Sequence, residues 1–181
     1  MAEPKPHWVT PDHYMAFGMI VNIVAEMEGL LDEVIFAITK ADHTILPLLT
    51  FLSGKDKRDY ILAMAKESQW PPYLVKGMEG LLDRIKKAAD LRNDVAHSSW
   101  SEGRKQGTIK LAKLSARGTL RMVGVGHNEK EWTAAELKAE ALKFQALGRD
   151  LLMFMRQYGL VVNIPKKTSD TIPNNSESDG G

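Results

Sequence analysis

The chain contains no cysteine. That excludes a disulfide framework, a thiol nucleophile and a thiolate metal site, and it suits a reducing cytoplasm, where the protein is expected to reside. Net charge is nearly absent too. Its 24 basic and 23 acidic residues leave +1, which gives no global sign of a polyanionic partner. No long apolar run stands out. The most apolar stretch, residues 16–25, is interrupted by Asn22 and followed by Glu26 and Glu28. It reads as too short and too polar to span a membrane. Residues 1–7 lack the apolar core of a signal peptide. A glycine-rich phosphate loop is missing: Gly124-Val125-Gly126 follows a strand-like run but has no third glycine and no suitable helix start. A serine-hydrolase elbow is missing as well. His7, His13, His43 and His127 are scattered without metal-ligand spacing, so neither a metal nor a cofactor is expected.

What remains is long, periodic and helical. A chain of 181 residues with 44% apolar content suggests one domain with a substantial core. Residues 1–9 form a proline-containing arm. Thr10-Pro11-Asp12 marks a helix start, with Thr10 as cap and Pro11 in the first turn. That helix runs to about Lys40, with its stripe at Ile20, Val24, Met27, Leu31, Val34, Ile35 and Ile38. Glu28 lies at the margin of this stripe, beside Phe17 and Ile35, where a carboxylate can either meet a semi-buried partner or reach past the edge to water. A short apolar segment at residues 45–52 is capped by Thr44. Ser53-Gly54-Lys55 then breaks the chain, and a second helix spans about Asp56–Ser68. The mixed cluster from Lys55 to Asp59 reads as a solvated face, with Lys57 and Arg58 as the members able to line a groove. After Trp70-Pro71-Pro72 a long helix covers about Tyr73–Ala96. Thr133-Ala134-Ala135-Glu136 is a capping box that opens the last helix, which stops at Gly159.

Between the last two helices the texture changes. Residues 98–107 are polar and loop-like. Thr108–Leu114 and Thr119–Val125 are short β-rich runs joined by a four-residue link containing Gly118, which predicts a hairpin at about 107–126. The fold class expected is therefore mainly α: a helical bundle over residues 10–165 with an inserted β-hairpin before the last helix. Residues 166–181, rich in Ser, Asn, Asp and Gly, are expected to be a disordered tail.

One stretch breaks the rules of its helix. Leu74, Val75, Met78, Leu81, Leu82, Ile85, Ala88 and Ala89 make an apolar stripe. At about 100° per residue, Arg92 falls back on the bearing of Leu74. Ala96 continues the same line, and Asn93 and His97 share its edge. A guanidinium aimed at a core is costly unless it is paired or lines a wet cavity. Arg92-Asn93-Asp94-Val95-Ala96-His97 therefore holds a buried polar knot or forms a site.

An arginine, a polar residue, three more positions and a histidine, at the end of a long helix in a small helical protein, resembles the motif of HEPN domains. These are helical bundles found in prokaryotic toxins and defence proteins. Trp100, three residues past His97, also looks like members of that group, and the likeness covers about residues 12–160. The resemblance implies metal-independent endoribonuclease activity at a composite site of a homodimer. In such a reaction a ribose 2′-OH attacks the adjacent phosphate. Histidine as a residue type suits the acid or base role, and arginine suits the charged phosphorane. His97 and Arg92 would supply those roles. Asn93 would bind the phosphate or orient the imidazole, with Glu28 in support. Trp100, Arg104 and Lys105 would contact the substrate. RNA, a second copy of the chain and an antitoxin protein are the partners implied. The alternative is a catalytically inactive HEPN-like module that binds a protein or nucleotide, in which Arg92 pairs with Glu28 and His97 caps its helix. Residues 101–121 carry six basic residues against Glu102. They read either as a protected edge hairpin or as a flap for a polyanion. Trp8, Trp70 and Trp132 read as packing anchors; Trp100 alone is placed to stack on a base.

Overall fold

The computed structural model describes residues 8–40, 46–112, 114–115, 121–122 and 130–160. The expectations for Thr44, the 116–118 link and the tail at 166–181 lie outside them. Helix α1 spans Pro11–Thr39, α2 Leu46–Leu49, α3 Gly54–Glu67, α4 Pro72–His97 and α5 Ala134–Gln157. Among the described residues, five short strands stand between α4 and α5: β1 Ser99–Glu102, β2 Thr108–Ala112, β3 Leu114–Ser115, β4 Arg121–Met122 and β5 Glu131–Thr133. The fold is mainly helical, with a small antiparallel sheet before the last helix.

Helix α1 is central, and α3, α4 and α5 all pack on it. Thr10 precedes Pro11 in extended conformation, and its amide donates to His13 Nδ1 at 3.2 Å, so His13 takes the reciprocal place in the first turn. The expected stripe is inside: Ile20, Val24, Leu31 and Val34 are fully buried, and Ile38 partly so. Each such side chain contributes about 1.5–3 kcal/mol when removed from water. By length and composition alone α1 could cross a membrane, with a mean hydropathy of 1.4 over an 18-residue window. The stretch at residues 16–25 is part of a helix of 29 residues. Its apolar face is the one on which the other helices pack.

Helix α3 starts earlier than expected. Ser53 caps it, with the Asp56 amide 3.2 Å from Ser53 Oγ and the Ser53 amide 3.2 Å from Asp56 Oδ2. Within the Lys55–Asp59 cluster, Lys57 is buried rather than groove-lining. Its ammonium lies 2.7 Å from Asp32 Oδ1 and 2.8 Å from Oδ2, tying α3 to α1. The capping box of α5 forms as read, with Glu136 N to Thr133 Oγ1 at 3.1 Å and Thr133 N to Glu136 Oε2 at 2.8 Å. Gly159, at φ 69°, follows its last turn.

The sheet differs from a simple hairpin. Strand β2 is central, pairing with β1 on one side and β5 on the other, both antiparallel. The distal part of the expected hairpin is present as β3 against β4, with Leu114 opposite Met122. Residues 99–102 had read as loop because only Trp100 among them is apolar. They are a strand because β2 supplies their partners. Likewise β5 buries Trp132 opposite Ile109, which is itself fully buried. Lys130 covers the Trp132 ring, with its ammonium 3.3 Å from the centroid.

The turn between β1 and β2 is held by one carboxylate. Glu131 accepts from the amides of Arg104 at 2.9 Å and Lys105 at 3.2 Å, with the Thr108 hydroxyl 2.9 Å away. The Arg104 amide, then Thr108 and the Lys105 amide, hold its carboxyl below the usual glutamate range. A depressed folded pKa means that this support is present above the unfolded value, about 4.3, and is lost as pH falls through the folded value. On acidification the Arg104 and Lys105 amide resonances are expected to shift together below about pH 4.3. In Glu131→Gln that shared transition should be missing. Its persistence in the variant would assign the transition to another group.

Candidate functional site

Helices α1, α3 and α4 enclose a groove of about 670 Å³. Glu28 stands on α1, Gly54 and Arg58 on the first turns of α3, and Arg92 and Asn93 near the end of α4, and all five line it. The α4 stripe explains why the groove opens here. Leu74 through Ala89 are covered by neighbouring helices. Beyond Ala89 the stripe meets the groove instead, so Arg92 is only partly buried. Ala96 is exposed and Val95 takes the buried position, which corrects the expectation that Ala96 continues the core line.

Arg92 resolves its cost by pairing. Its Nη2 donates to Glu28 Oε1 at 2.9 Å, joining α4 to α1. The side chains remain 26% and 24% exposed, so the pair sits between the surface and the buried regimes and fixes the guanidinium without removing it from water. Gly54 makes room for this contact. A Cβ at that position would lie 2.7 Å from Glu28 Oε1 and 3.4 Å from Arg58 Nη1. Any side chain there would push the Glu28 carboxylate away from Arg92.

His97 is the last residue of α4 and is exposed. It sits one turn past Asn93 on the same line, about 6 Å along the axis. Among the described residues its imidazole has no hydrogen-bond partner. The helix is instead closed by the Ser98 amide, which donates to the Asp94 carbonyl at 3.2 Å. Capping by the His97 side chain is therefore not the arrangement seen.

Other expected contacts fall elsewhere. Trp100 is packed against the core. Its ring stacks on Phe17 with centroids 5.0 Å apart and planes at 28°, and its carbonyl accepts from Trp8 Nε1 at 3.3 Å. One face of the indole that was expected to hold a base is thus occupied by the protein. Arg104 and Lys105 lie beyond β1, in the turn that Glu131 holds. They are exposed and do not line the groove. Lys113 and Arg117 are outside the described residues. The structure therefore brings Glu28, Arg92 and Asn93 together, leaves His97 open beside them, and separates Trp100, Arg104 and Lys105 from them.

Gly54 carries a weight in the groove that its sequence context does not announce. Gly54 had read only as a helix breaker. Arg58 was grouped with Lys57 as a groove candidate, yet only Arg58 lines the groove. The helical periodicity of α3 separates the two, since Lys57 shares a bearing with the buried Ile61. Among the described residues no three of His, Asp and Glu gather as a metal-binding group. No protein-family model, no curated protein and no solved structure matches the chain.

Proposed function

We propose that this protein is a metal-independent endoribonuclease of the HEPN type, acting as a homodimer. The observation that carries the reading is the grouping at the end of α4. Arg92 and Asn93 line a groove of about 670 Å³, and His97 stands exposed one turn beyond them. In this reading Arg92 stabilises the charge that builds on phosphate oxygens during attack by the 2′-OH. His97 moves the proton, either from the 2′-OH or to the departing 5′-oxygen. Asn93 donates to a phosphate oxygen. Glu28 pre-sets the guanidinium through the 2.9 Å contact, so that less reorganisation accompanies the reaction.

Among the described residues, one chain brings a single histidine to this end of α4, whereas the reaction uses both an acid and a base. A two-fold related copy supplies the second His97 and Arg92 across a shared cleft. An antitoxin protein that covers the groove would restrain the activity.

A second reading is favoured by a specific observation. Arg92 is already paired with Glu28, and acidic and basic side chains are matched in number around the groove. This suits an inactive HEPN-like module that holds a protein or nucleotide there. RNA cleavage by the purified protein in EDTA, with its mass in solution recorded alongside, separates the two. Cleavage by a dimer is the outcome expected. A folded protein that leaves several RNAs intact would sink the nuclease reading.

A further inference from the structure

The groove has a second arginine whose position is not explained by the fold. Arg58 Nη1 is buried and, among the described residues, has no hydrogen-bond partner. A buried guanidinium N–H without an acceptor is disfavoured unless something fills its place. The position that a Cβ on Gly54 would take lies close to both Arg58 Nη1 and Glu28 Oε1, and Glu28 in turn holds Arg92. Arg58 of α3 and Arg92 of α4 therefore line one groove from two helices, and only Arg92 is paired with Glu28. Two guanidinium groups and one carboxylate leave a single positive charge. Lys55 adds little to it, because its ammonium is 2.6 Å from Asp59. Asp83, Lys86 and Asp90 are exposed on the rim, where water screens them.

We propose that Arg58 and Arg92 form a seat for one phosphodiester group of RNA in the groove. The seat's net charge of one matches the single negative charge of a phosphodiester. Arginine's planar fork fits phosphate oxygens. The groove volume is in the range that takes about one nucleotide. Arg92 belongs both to this seat and to the proposed reaction, so the phosphate held is the reacting one or its neighbour. The inference deepens the nuclease reading and rests on it for naming RNA as the ligand.

The test uses a fluorescent 2′-O-methyl hexanucleotide, which lacks the attacking hydroxyl and reports binding without cleavage. Affinity of the full chain is measured over a range of salt concentrations in EDTA. Arg58→Gln is expected to weaken binding about ten-fold and to reduce the slope of log affinity against log salt by about 0.7, the value of one phosphate contact on a single strand. Arg58→Lys is expected to restore the slope but not the full affinity, because it keeps the charge and loses the fork. It also serves as the fold control if the glutamine variant melts early. Equal affinity and slope for wild type and Arg58→Gln, or no binding by wild type at any salt, overturns the seat. Competition by inorganic phosphate at the concentrations where the hexanucleotide binds overturns its assignment to RNA. Binding that depends on Arg58, from a protein that leaves ordinary RNA intact, supports the seat and sinks the nuclease reading. Cleavage of RNA that is indifferent to Arg58→Gln does the reverse.

Discussion

Under the proposed reaction, His97→Ala is expected to lower the rate of RNA cleavage by about 10²–10⁴-fold and to leave the melting temperature unchanged. Both halves follow from where the residue sits. Its side chain is exposed at the last position of α4 and has no hydrogen-bond partner among the described residues, so truncation opens no cavity and strands no buried group. A rate loss cannot then be blamed on unfolding. Arg92→Ala should reduce cleavage by a similar order, about 10²–10³-fold, since it removes the cation proposed to meet the developing charge. It should also destabilise the fold, because Glu28 is left without its partner at 2.9 Å. The two variants therefore differ in melting behaviour while agreeing in activity. Full cleavage by His97→Ala would remove the histidine from the mechanism.

Lys57→Ala should have the largest effect on stability, about 2–3 kcal/mol. Removing one member of a buried ion pair leaves the other charge uncompensated, at about 3–5 kcal/mol when burial is complete. Here the lysine side chain is 9% exposed and the aspartate 22%, so water returns part of that loss. For a chain of this size such a loss lowers the melting temperature by about 5–10 °C. The double variant Lys57→Met with Asp32→Leu should recover most of it, because the paired charges are replaced by apolar volume. Calorimetry on wild type and the two variants measures both effects. A Lys57→Ala protein that melts within about 1 °C of wild type would show that the pair contributes nothing.

The helices were legible because their ends carry strong chemical marks. Thr10-Pro11 and the Thr133–Glu136 box stand at the starts of α1 and α5, and Gly159 follows the end of α5. The contact between Glu28 and Arg92 could also be read, since wheel geometry placed Glu28 at the margin of one apolar stripe and Arg92 on the bearing of another. The start of α3 was misplaced although Ser53 and Asp56 have capping-box spacing, because Gly54 between them reads as a breaker. Strand β1 was illegible for a different reason. Its pattern holds one apolar residue in four, and its pairing comes from β2, several residues away across a turn. Nor does any local pattern announce that Glu131 fastens the turn at Arg104, since that contact spans 27 positions of chain. The closeness of Gly54 to Glu28 is likewise a property of helix packing alone.

The junction after α4 has no slack. Only Ser98 separates the helix from β1, and by Trp100 the chain is already stacked on Phe17 of α1. Inserting a single residue there would exchange the two faces of the strand and bring a serine to the place of the indole. The interval from His97 to Trp100 therefore works as a ruler. It fixes how far the imidazole stands from the core, whatever the loop beyond the sheet does. A search for this site in other sequences should hold that spacing constant and let the turn between β1 and β2 vary in length.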